Sequence, residues 1–182
     1  MPSDLTQLTG AEAFTTPRLR ARRWRPSDLG PLLRVYGDAD AMRWVGDGSP
    51  VSRDEAERWL EVTAANYARR GYGMFALEDL ATGEVVGFIG IVHPGGQEEP
   101  EVKYAFARER WGQGLATEAV RGVVAYGAAT HGLTRVIATT APENSASHRV
   151  LEKAGFARGE LRPNDDGSFT QLFEWTAGPD RS

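Results

Sequence analysis

The chain has 182 residues, which suits one large domain or two small ones, and 41% of them are hydrophobic and 25% charged. These fractions are ordinary for a folded protein and exclude a disordered, collagen-like or coiled-coil chain. The absence of cysteine excludes disulfide bonds, thiolate metal sites and a cysteine nucleophile. The longest apolar runs are too short to span a bilayer and residues 1–10 lack the regions of a signal peptide, so we expect a soluble cytoplasmic protein.

The 21 basic and 25 acidic residues give a net charge of -4. Five arginines nevertheless crowd into residues 18–25, a pattern that also occurs on nucleic-acid-binding surfaces. A net acidic chain lacks the overall basic charge of such binders. Alternation of arginine with Leu19 and Ala21 favours instead a half-buried strand with one solvated face, so we expect no nucleic-acid partner.

Both ends of the chain are polar and aperiodic. We therefore expect loose tails at residues 1–14 and 177–182, around a single domain at residues 15–176. Residues 38–50 are expected to form a loop inside that domain.

Hydrophobic periodicity and turn residues predict the element order β-α-α-β-β-β-α-β-α-β-β. A capping box formed by Ser52 and Glu55 marks the start of the second helix. Antiparallel hairpins surround one parallel strand-helix-strand crossover, which predicts a single mixed α/β domain. The predicted strands are 19–24, 72–77, 84–93, 101–107, 136–139, 156–161 and 169–175, and the predicted helices are 29–36, 52–67, 115–130 and 145–153.

A glycine-containing turn, Gly112-Gln113-Gly114, lies where a predicted strand enters and a predicted helix leaves. Glycines let the backbone approach a ligand closely, and free N–H groups at a helix N-terminus bind anions, so the turn is a candidate phosphate site. A tight turn without a ligand is the alternative. The acidic residue that a dinucleotide fold places about 20 positions later is absent, and no Gly-Lys pair forms a nucleoside-triphosphate loop.

A second cluster, residues 144–156, follows the next predicted strand; its Asn144 alone predicts no more than a helix cap. Together the two clusters, with Trp-Gly-Gln-Gly-Leu-Ala-Thr-Glu-Ala in the first and Glu-Asn-x-x-Ser-x-x-Val-Leu-x-Lys-x-Gly-Phe around the second, resemble the GNAT superfamily of acetyl-CoA-dependent N-acetyltransferases. Within it, the chain is most similar to the branch of ribosomal-protein N-terminal acetyltransferases, whose opening strand resembles residues 16–20. The resemblance implies a central, mostly antiparallel sheet of about seven strands flanked by about four helices.

The resemblance also implies cofactor contacts for this chain. Asn144 would contact acetyl-CoA, the expected co-substrate, and no metal is implied. Trp111 replaces the family's usual Gln or Arg at the first position of the phosphate loop, and Arg108 stands where many members carry Pro. The backbone implied to pair with the pantetheine arm is that of Phe106, Ala107 and Arg108, and the amides implied to hold the pyrophosphate are those of Gly112, Gln113, Gly114, Leu115, Ala116 and Thr117.

Other acyl-transfer chemistries have no signature in the sequence, because it contains neither Gly-x-Ser-x-Gly nor His-x-x-x-Asp, and its three histidines are too far apart to suggest a metal site. Direct attack of an amine on the thioester therefore fits best. A base is useful for that attack, since an amine near pKa 8 is only about one-tenth neutral at pH 7. Glu101 is the candidate base, with a purely structural role as the alternative.

The leaving thiolate needs a proton, and many family members supply it from a tyrosine where this chain has Leu151. Ser147 matches the serine used in the ribosomal branch and is the candidate acid, with a hydroxyl bonded to its own helix as the alternative. The missing tyrosine and Trp111 leave open a second function, that of a non-catalytic acyl-CoA sensor.

The acceptor is constrained only by loops. Asp47, Glu98, Glu99 and Glu101 together form a possible acidic mouth, which predicts a positively charged primary amine, either a peptide N-terminus or a small amine. Solvated acidic loops without a binding role are the alternative. The sequence leaves the oligomeric state open, a homodimer included.

Overall fold

The computed structural model describes residues 5–45 and 47–179. The parts of the expected tails at 1–4 and 180–182 lie outside the described residues. The strands are β1 (Glu12–Thr15), β2 (Leu19–Arg22), β3 (Met74–Asp79), β4 (Val85–Val92), β5 (Glu101–Phe106), β6 (Arg135–Thr140), β7 (Ala157–Pro163) and β8 (Phe169–Thr176). The α-helices are α1 (Leu29–Tyr36), α2 (Ala39–Met42), α3 (Arg53–Arg70), α4 (Leu115–His131) and α5 (Ser145–Lys153).

All the strands of the described chain form one sheet in the order β1-β2-β3-β4-β5-β6-β8-β7. Neighbours are antiparallel except β5 and β6, which run parallel and are joined through α4. These two strands pair only at Glu101 and Ile137, near the start of β5. Beyond that point they diverge, and a gap opens in the middle of the sheet toward their C-terminal ends.

The mixed α/β class is confirmed, but the predicted counts of seven strands and four helices were each one too low. The missed elements are β1 and α2, which have only four residues each and are too short to show a period. In β1, Phe14 packs against the rings of Phe75 and Tyr126. In the expected 38–50 loop, the Asp38 side chain caps α2 by accepting backbone hydrogen bonds.

The expected N-terminal tail is structured from residue 5 onward. Leu5–Gln7 forms a 3-10 helix that packs beside α3, and Leu8 is buried in the core. Two leucines, Leu5 and Leu8, in a short polar stretch are too few to show a period, so the sequence did not show this anchor.

The capping box of α3 is present as predicted. The Ser52 hydroxyl accepts from the Glu55 amide at 3.3 Å, while the Glu55 carboxylate accepts from the Ser52 amide at 2.9 Å. The helix ends at Gly71, whose φ of 79° is the left-handed conformation that glycine adopts without strain.

Packing on one face of the sheet places α1 and α2 against β4 and β5. Tyr36 of α1 stacks on Phe88 of β4, with ring centroids 5.1 Å apart, and Trp24 packs edge-on against the same ring. Phe88 pairs across the strands with Ala105, so this face also carries Lys103 of β5. The opposite face of β5 carries Tyr104, against which α5 packs.

Four of the five arginines at 18–25 have partners inside the chain. The side chain of Arg18 bonds to α4, Arg20 pairs with Glu12 and Glu78, and Arg23 lies 4.8 Å from the ring of Tyr67. Arg22 is buried and bonds both Asp28 oxygens at 2.8 and 2.9 Å, and it also bonds Glu78. The arginine cluster therefore ties β2 to its neighbours.

Across the described residues, no helix has the length and apolar character needed to cross a bilayer.

Candidate active site

The gap between β5 and β6 leads into a cleft of about 630 Å³. This volume lies in the range of small-molecule sites. Its walls come from β5, β6, the residues after α2, the turn before α4 and the exposed side of α5. The predicted residues that line it are Phe106, Gly112, Gln113, Gly114, Leu115, Ala116, Thr117, Asn144 and Ser147.

The turn before α4 has the geometry of an anion site. Gly112 and Gly114 have φ angles of 75° and 77°, and Gly114 is the N-cap of α4. The first hydrogen bond of the helix runs from the Glu118 amide to the Gly114 carbonyl. The amides that precede Glu118 in the first turn therefore have no acceptor within the helix. Added to the helix dipole, these amides favour a bound anion.

A clamp from β2 holds this turn in place. The Arg18 guanidinium donates to the Gln113 carbonyl at 2.8 Å and to the Glu118 carboxylate at 2.7 Å. Glu118 also accepts from the Thr16 hydroxyl at 2.7 Å and from the Arg18 amide at 2.8 Å. Burial alone would raise the pKa of Glu118, but these hydrogen bonds outweigh it and hold that pKa below its usual range.

The charged residues that line the cleft are mainly basic, although the whole chain is acidic. One lining carboxylate, Asp40, is bound by Arg108 at 2.9 Å. Arg110 is held by Asp79 at 2.7 Å. The basic residues in the lining are Arg43, Lys103, Arg110, Arg149 and Lys153.

A pair of hydroxyl groups faces the cleft where α5 crosses β5. The Tyr104 and Ser147 oxygens lie 2.6 Å apart, and both residues line the cleft. Burial raises the pKa of Tyr104 to about 12, against a smaller opposing effect of the Ser147 hydrogen bond. Tyr104 therefore keeps its proton at neutral pH. Asn144 caps α5 by accepting a hydrogen bond from the Ser147 amide at 3.2 Å, which holds the backbone of Ser147 in position beside the cleft.

The backbone of β5 alternates between β4 and the gap. The Ala107 amide donates to Val86 of β4 at 3.0 Å, so in this antiparallel ladder the backbone groups of Tyr104 and Phe106 point toward the gap. The Trp111 indole donates to the Phe106 carbonyl at 3.0 Å. Ala107 and Arg108 do not line the cleft.

The side chain of Arg108, the residue that replaces the family's proline, binds Asp38 at 2.7 Å and Asp40 at 2.9 Å. These contacts tie the end of β5 to α2. Desolvation opposes ionisation of Asp38, yet hydrogen bonds from Arg108 and from the amides of α2 hold the pKa of Asp38 below its usual value.

Glu101, the candidate base, is buried at the start of β5 and does not line the cleft. Its carboxylate accepts from the Thr139 hydroxyl and from Gln97 at 3.1 Å, and Lys103 Nζ lies 3.4 Å away. The carboxylate is thus surrounded by donors within the protein.

The four carboxylates expected to form an acidic mouth do not meet. Glu99 is paired with Arg135 at 3.2 Å and with Arg162 at 3.9 Å. Asp47 accepts from the Ser49 amide at 2.9 Å within its own turn. Glu98 lines a separate shallow depression beside Glu99. Since Glu101 is also enclosed, the expected acidic mouth is not present.

Sequence reasoning missed Tyr104, Lys103 and the clamp of Arg18 on Glu118. For Tyr104 a signal existed, because the alternation of β5 puts it on the same face as Val102 and Phe106. No group of three or more His, Asp or Glu in the described chain is placed to hold a metal ion.

Comparison with known proteins agrees with this architecture. A sequence model described as an acetyltransferase (GNAT) domain matches residues 18–157. The N-acetyltransferase YoaA of Bacillus subtilis is 31% identical over 150 residues, which cover 81% of this chain and 84% of that protein.

Two solved structures have the same fold. A GNAT-family acetyltransferase from Bacillus anthracis has a TM-score of 0.77 at 23% identity, covering 90% of this chain and 97% of that one. A ribosomal L7/L12 α-N-protein acetyltransferase in complex with coenzyme A also has a TM-score of 0.77, at 15% identity, covering 91% and 97%. The chain belongs to the GNAT acetyltransferase family, and it is an acetyltransferase enzyme.

Proposed function

We propose that the protein transfers an acetyl group from acetyl-CoA to a primary amine by direct attack within a ternary complex. The observation that supports this most is the position of the gap. The cleft at this gap is lined both by the turn before α4, a candidate anion site, and by the hydroxyl pair of Ser147 and Tyr104.

The residues present fit the expected co-substrate. The left-handed turn at Gly112 leaves open space where a Cβ would stand, so the backbone can approach a pyrophosphate closely. Arg149 and Lys153 of α5 supply positive charge to the same cleft. Tyr104 and Phe106, in place of Ala107 and Arg108, offer backbone groups that can pair with the pantetheine arm. One of these groups, the Phe106 carbonyl, already accepts a hydrogen bond from the Trp111 indole.

Acetyl-CoA supplies an activated acetyl group as a thioester. The amine nitrogen forms the new bond to the acetyl carbon as the carbon–sulfur bond breaks, and the amine gives up a proton. Ser147 Oγ, the hydroxyl on the cleft side of α5, donates a proton to the departing sulfur. Tyr104 Oη lies within hydrogen-bond reach and passes a proton to the serine, and water entering the open cleft reprotonates the phenol, so the pair replaces the tyrosine that Leu151 displaces.

Glu101 stays the candidate base for the amine. In this structure a direct contact with the amine requires the carboxylate to exchange one of its bonds to Thr139, Gln97 or Lys103. A chain of water through the gap is the alternative route for the proton. Tyr104 places a phenol beside Ser147, which weighs against a sensor protein without catalysis.

The proposal is tested by incubating the protein with acetyl-CoA and a panel of primary amines and following both free thiol and acetylated product. Coenzyme A released together with acetylated amine is the expected result. Tight binding of acetyl-CoA without transfer to any amine would support the hypothesis of a non-catalytic sensor. Absence of any acetyl-CoA binding would overturn the assignment of the cleft as the co-substrate site. The cytoplasmic location stays a prediction.

A further inference from the structure

The cations of the cleft fall on two faces of the sheet. Arg149 and Lys153 lie on α5, which packs over the Tyr104 face of β5. Lys103 projects from the opposite face, where α1 and α2 pack, and Arg43 follows α2 directly. The phosphates of the co-substrate account for the α5 cations beside the α4 turn. They do not account for Arg43 and Lys103, which lie across the gap.

Arg43 has no acidic partner among the described residues. Its guanidinium instead lies over the ring of Trp44, 5.1 Å from the centroid, and the indole is 45% exposed. Both residues line the cleft. A guanidinium held on an aromatic face keeps its planar set of donors free for a carboxylate, while the exposed ring offers a surface for an apolar group.

Lys103 is one of two lysines in the chain and is 39% exposed at the cleft. It lies 3.4 Å from Glu101, whose carboxylate already accepts from Thr139 and Gln97. An ammonium group has three donors, so contact with Glu101 leaves others for a ligand. Asp38 and Asp40 share the Arg108 guanidinium and Glu101 contacts Lys103, so Arg43 is the cation at this end of the cleft that no carboxylate of the described residues binds.

We propose that the acceptor is a carboxylate-bearing amine, whose carboxylate binds Arg43 and Lys103 while its apolar part lies on Trp44. This inference rests on the acetyl transfer proposed above and names its substrate class. It reverses the charge expected from the loop sequences. Arginine and carboxylate form paired, charge-assisted hydrogen bonds, which would hold the molecule with its amine at the gap.

The test compares acceptors in which one carboxylate is replaced by its amide, and rates are expressed per neutral amine because amidation of an α-carboxylate also lowers the pKa of the α-amine. Initial rates are measured for L-phenylalanine against L-phenylalaninamide, and for the amidated dipeptides Ala-Glu and Ala-Gln, which separate a free amino acid from an acidic peptide N-terminus. We expect kcat/KM about tenfold or more higher for the carboxylate member of at least one pair. Arg43→Gln should bring that ratio close to one, mainly through KM. The control Arg69→Gln, at an exposed position of α3 outside the cleft, should leave the ratio unchanged.

A second readout keeps this inference separate from the proposed transfer. Calorimetry with coenzyme A present measures binding of the same acceptors even where no acetyl group moves. Lys103→Gln provides a further variant. Because this change leaves Glu101 with one partner fewer, its folding is checked by circular dichroism. If Lys103→Gln unfolds, the result for Arg43→Gln alone decides the test. Equal binding and equal rates for charged and amide members, unaffected by Arg43→Gln, would overturn the carboxylate proposal. Selective binding without turnover would uphold it and count against acetyl transfer.

Discussion

At the scale of single residues, the proposed chemistry depends on a hydroxyl pair. Ser147 comes from α5 and Tyr104 from β5, 43 positions apart in the chain, and their oxygens lie 2.6 Å apart. Asn144 holds the serine from one side by capping its helix. A proton can therefore pass along two groups whose positions are fixed by separate elements, which favours a defined acid over bulk water.

We expect Ser147→Ala to lower kcat about 100-fold, the lower end of what a positioned acid contributes. Tyr104→Phe should lower kcat about tenfold, since Ser147 then has to recover its proton from water. If the two act as one unit, the double variant should resemble Ser147→Ala alone. Steady-state rates, with coenzyme A affinity from calorimetry as the control, provide the measurement. Fully multiplicative losses would show that the hydroxyls act separately.

At the scale of elements, the proposed co-substrate site depends on the turn into α4. Gly114→Asp should abolish coenzyme A binding, because it places a carboxylate where we propose that the phosphates bind. The left-handed φ of 77° adds about 1–2 kcal/mol of backbone strain for any residue with a Cβ. Gly114→Ala carries the same strain without the charge and has room, the nearest atom to its Cβ being Arg18 Nη2 at 3.6 Å. Calorimetry on both variants separates charge from strain, and unchanged affinity in the aspartate variant would remove the pyrophosphate from this turn.

The contribution of the Glu118 clamp to folding stability decreases as the pH falls. The pKa of Glu118 is lowered in the folded protein, so its contribution to stability is complete above the unfolded value of about 4.5 and is lost as the pH falls through the folded value. Glu118→Gln should therefore destabilise the protein by about 2 kcal/mol at pH 7, and by progressively less below pH 4.5. Urea unfolding of both proteins from pH 7 to pH 3 measures the difference. A difference that grows on acidification would contradict the clamp.

The elements that sequence could predict are those whose signals are local. The α3 capping box, the glycine turn before α4 and the crossover between β5 and β6 each occupy a short stretch of chain, and the structure has all three. The four-residue elements β1 and α2 are too short to show a period. The partners of Glu99 and the contact of Trp111 with Phe106 depend on how distant segments pack, so the acidic mouth was wrong and the indole's role was not foreseen.

At the scale of the whole molecule, β2 is fastened at both ends by arginine. Arg18, directly before β2, reaches α4 and the proposed phosphate-binding turn, while Arg22 at the end of β2 is enclosed with Asp28 and Glu78. Desolvation opposes the charge of Arg22, but its bonds to the two carboxylates outweigh burial and raise the pKa of Arg22 above its usual value. The site at one end and the folded core at the other therefore share one strand.

Arg22→Met should destabilise the fold by about 3–5 kcal/mol, because it leaves two carboxylates without their buried cation. Arg20→Met, on the same strand but 44% exposed and paired at 3.0 Å with Glu12, should cost less than about 1 kcal/mol. Equilibrium unfolding in urea at pH 7, with the slope checked for two-state behaviour, measures both. Because Arg22 does not line the cleft, coenzyme A affinity of the folded fraction should match the unmodified protein. A loss of affinity without a loss of stability would mean that this end of β2 positions the site as well as the fold.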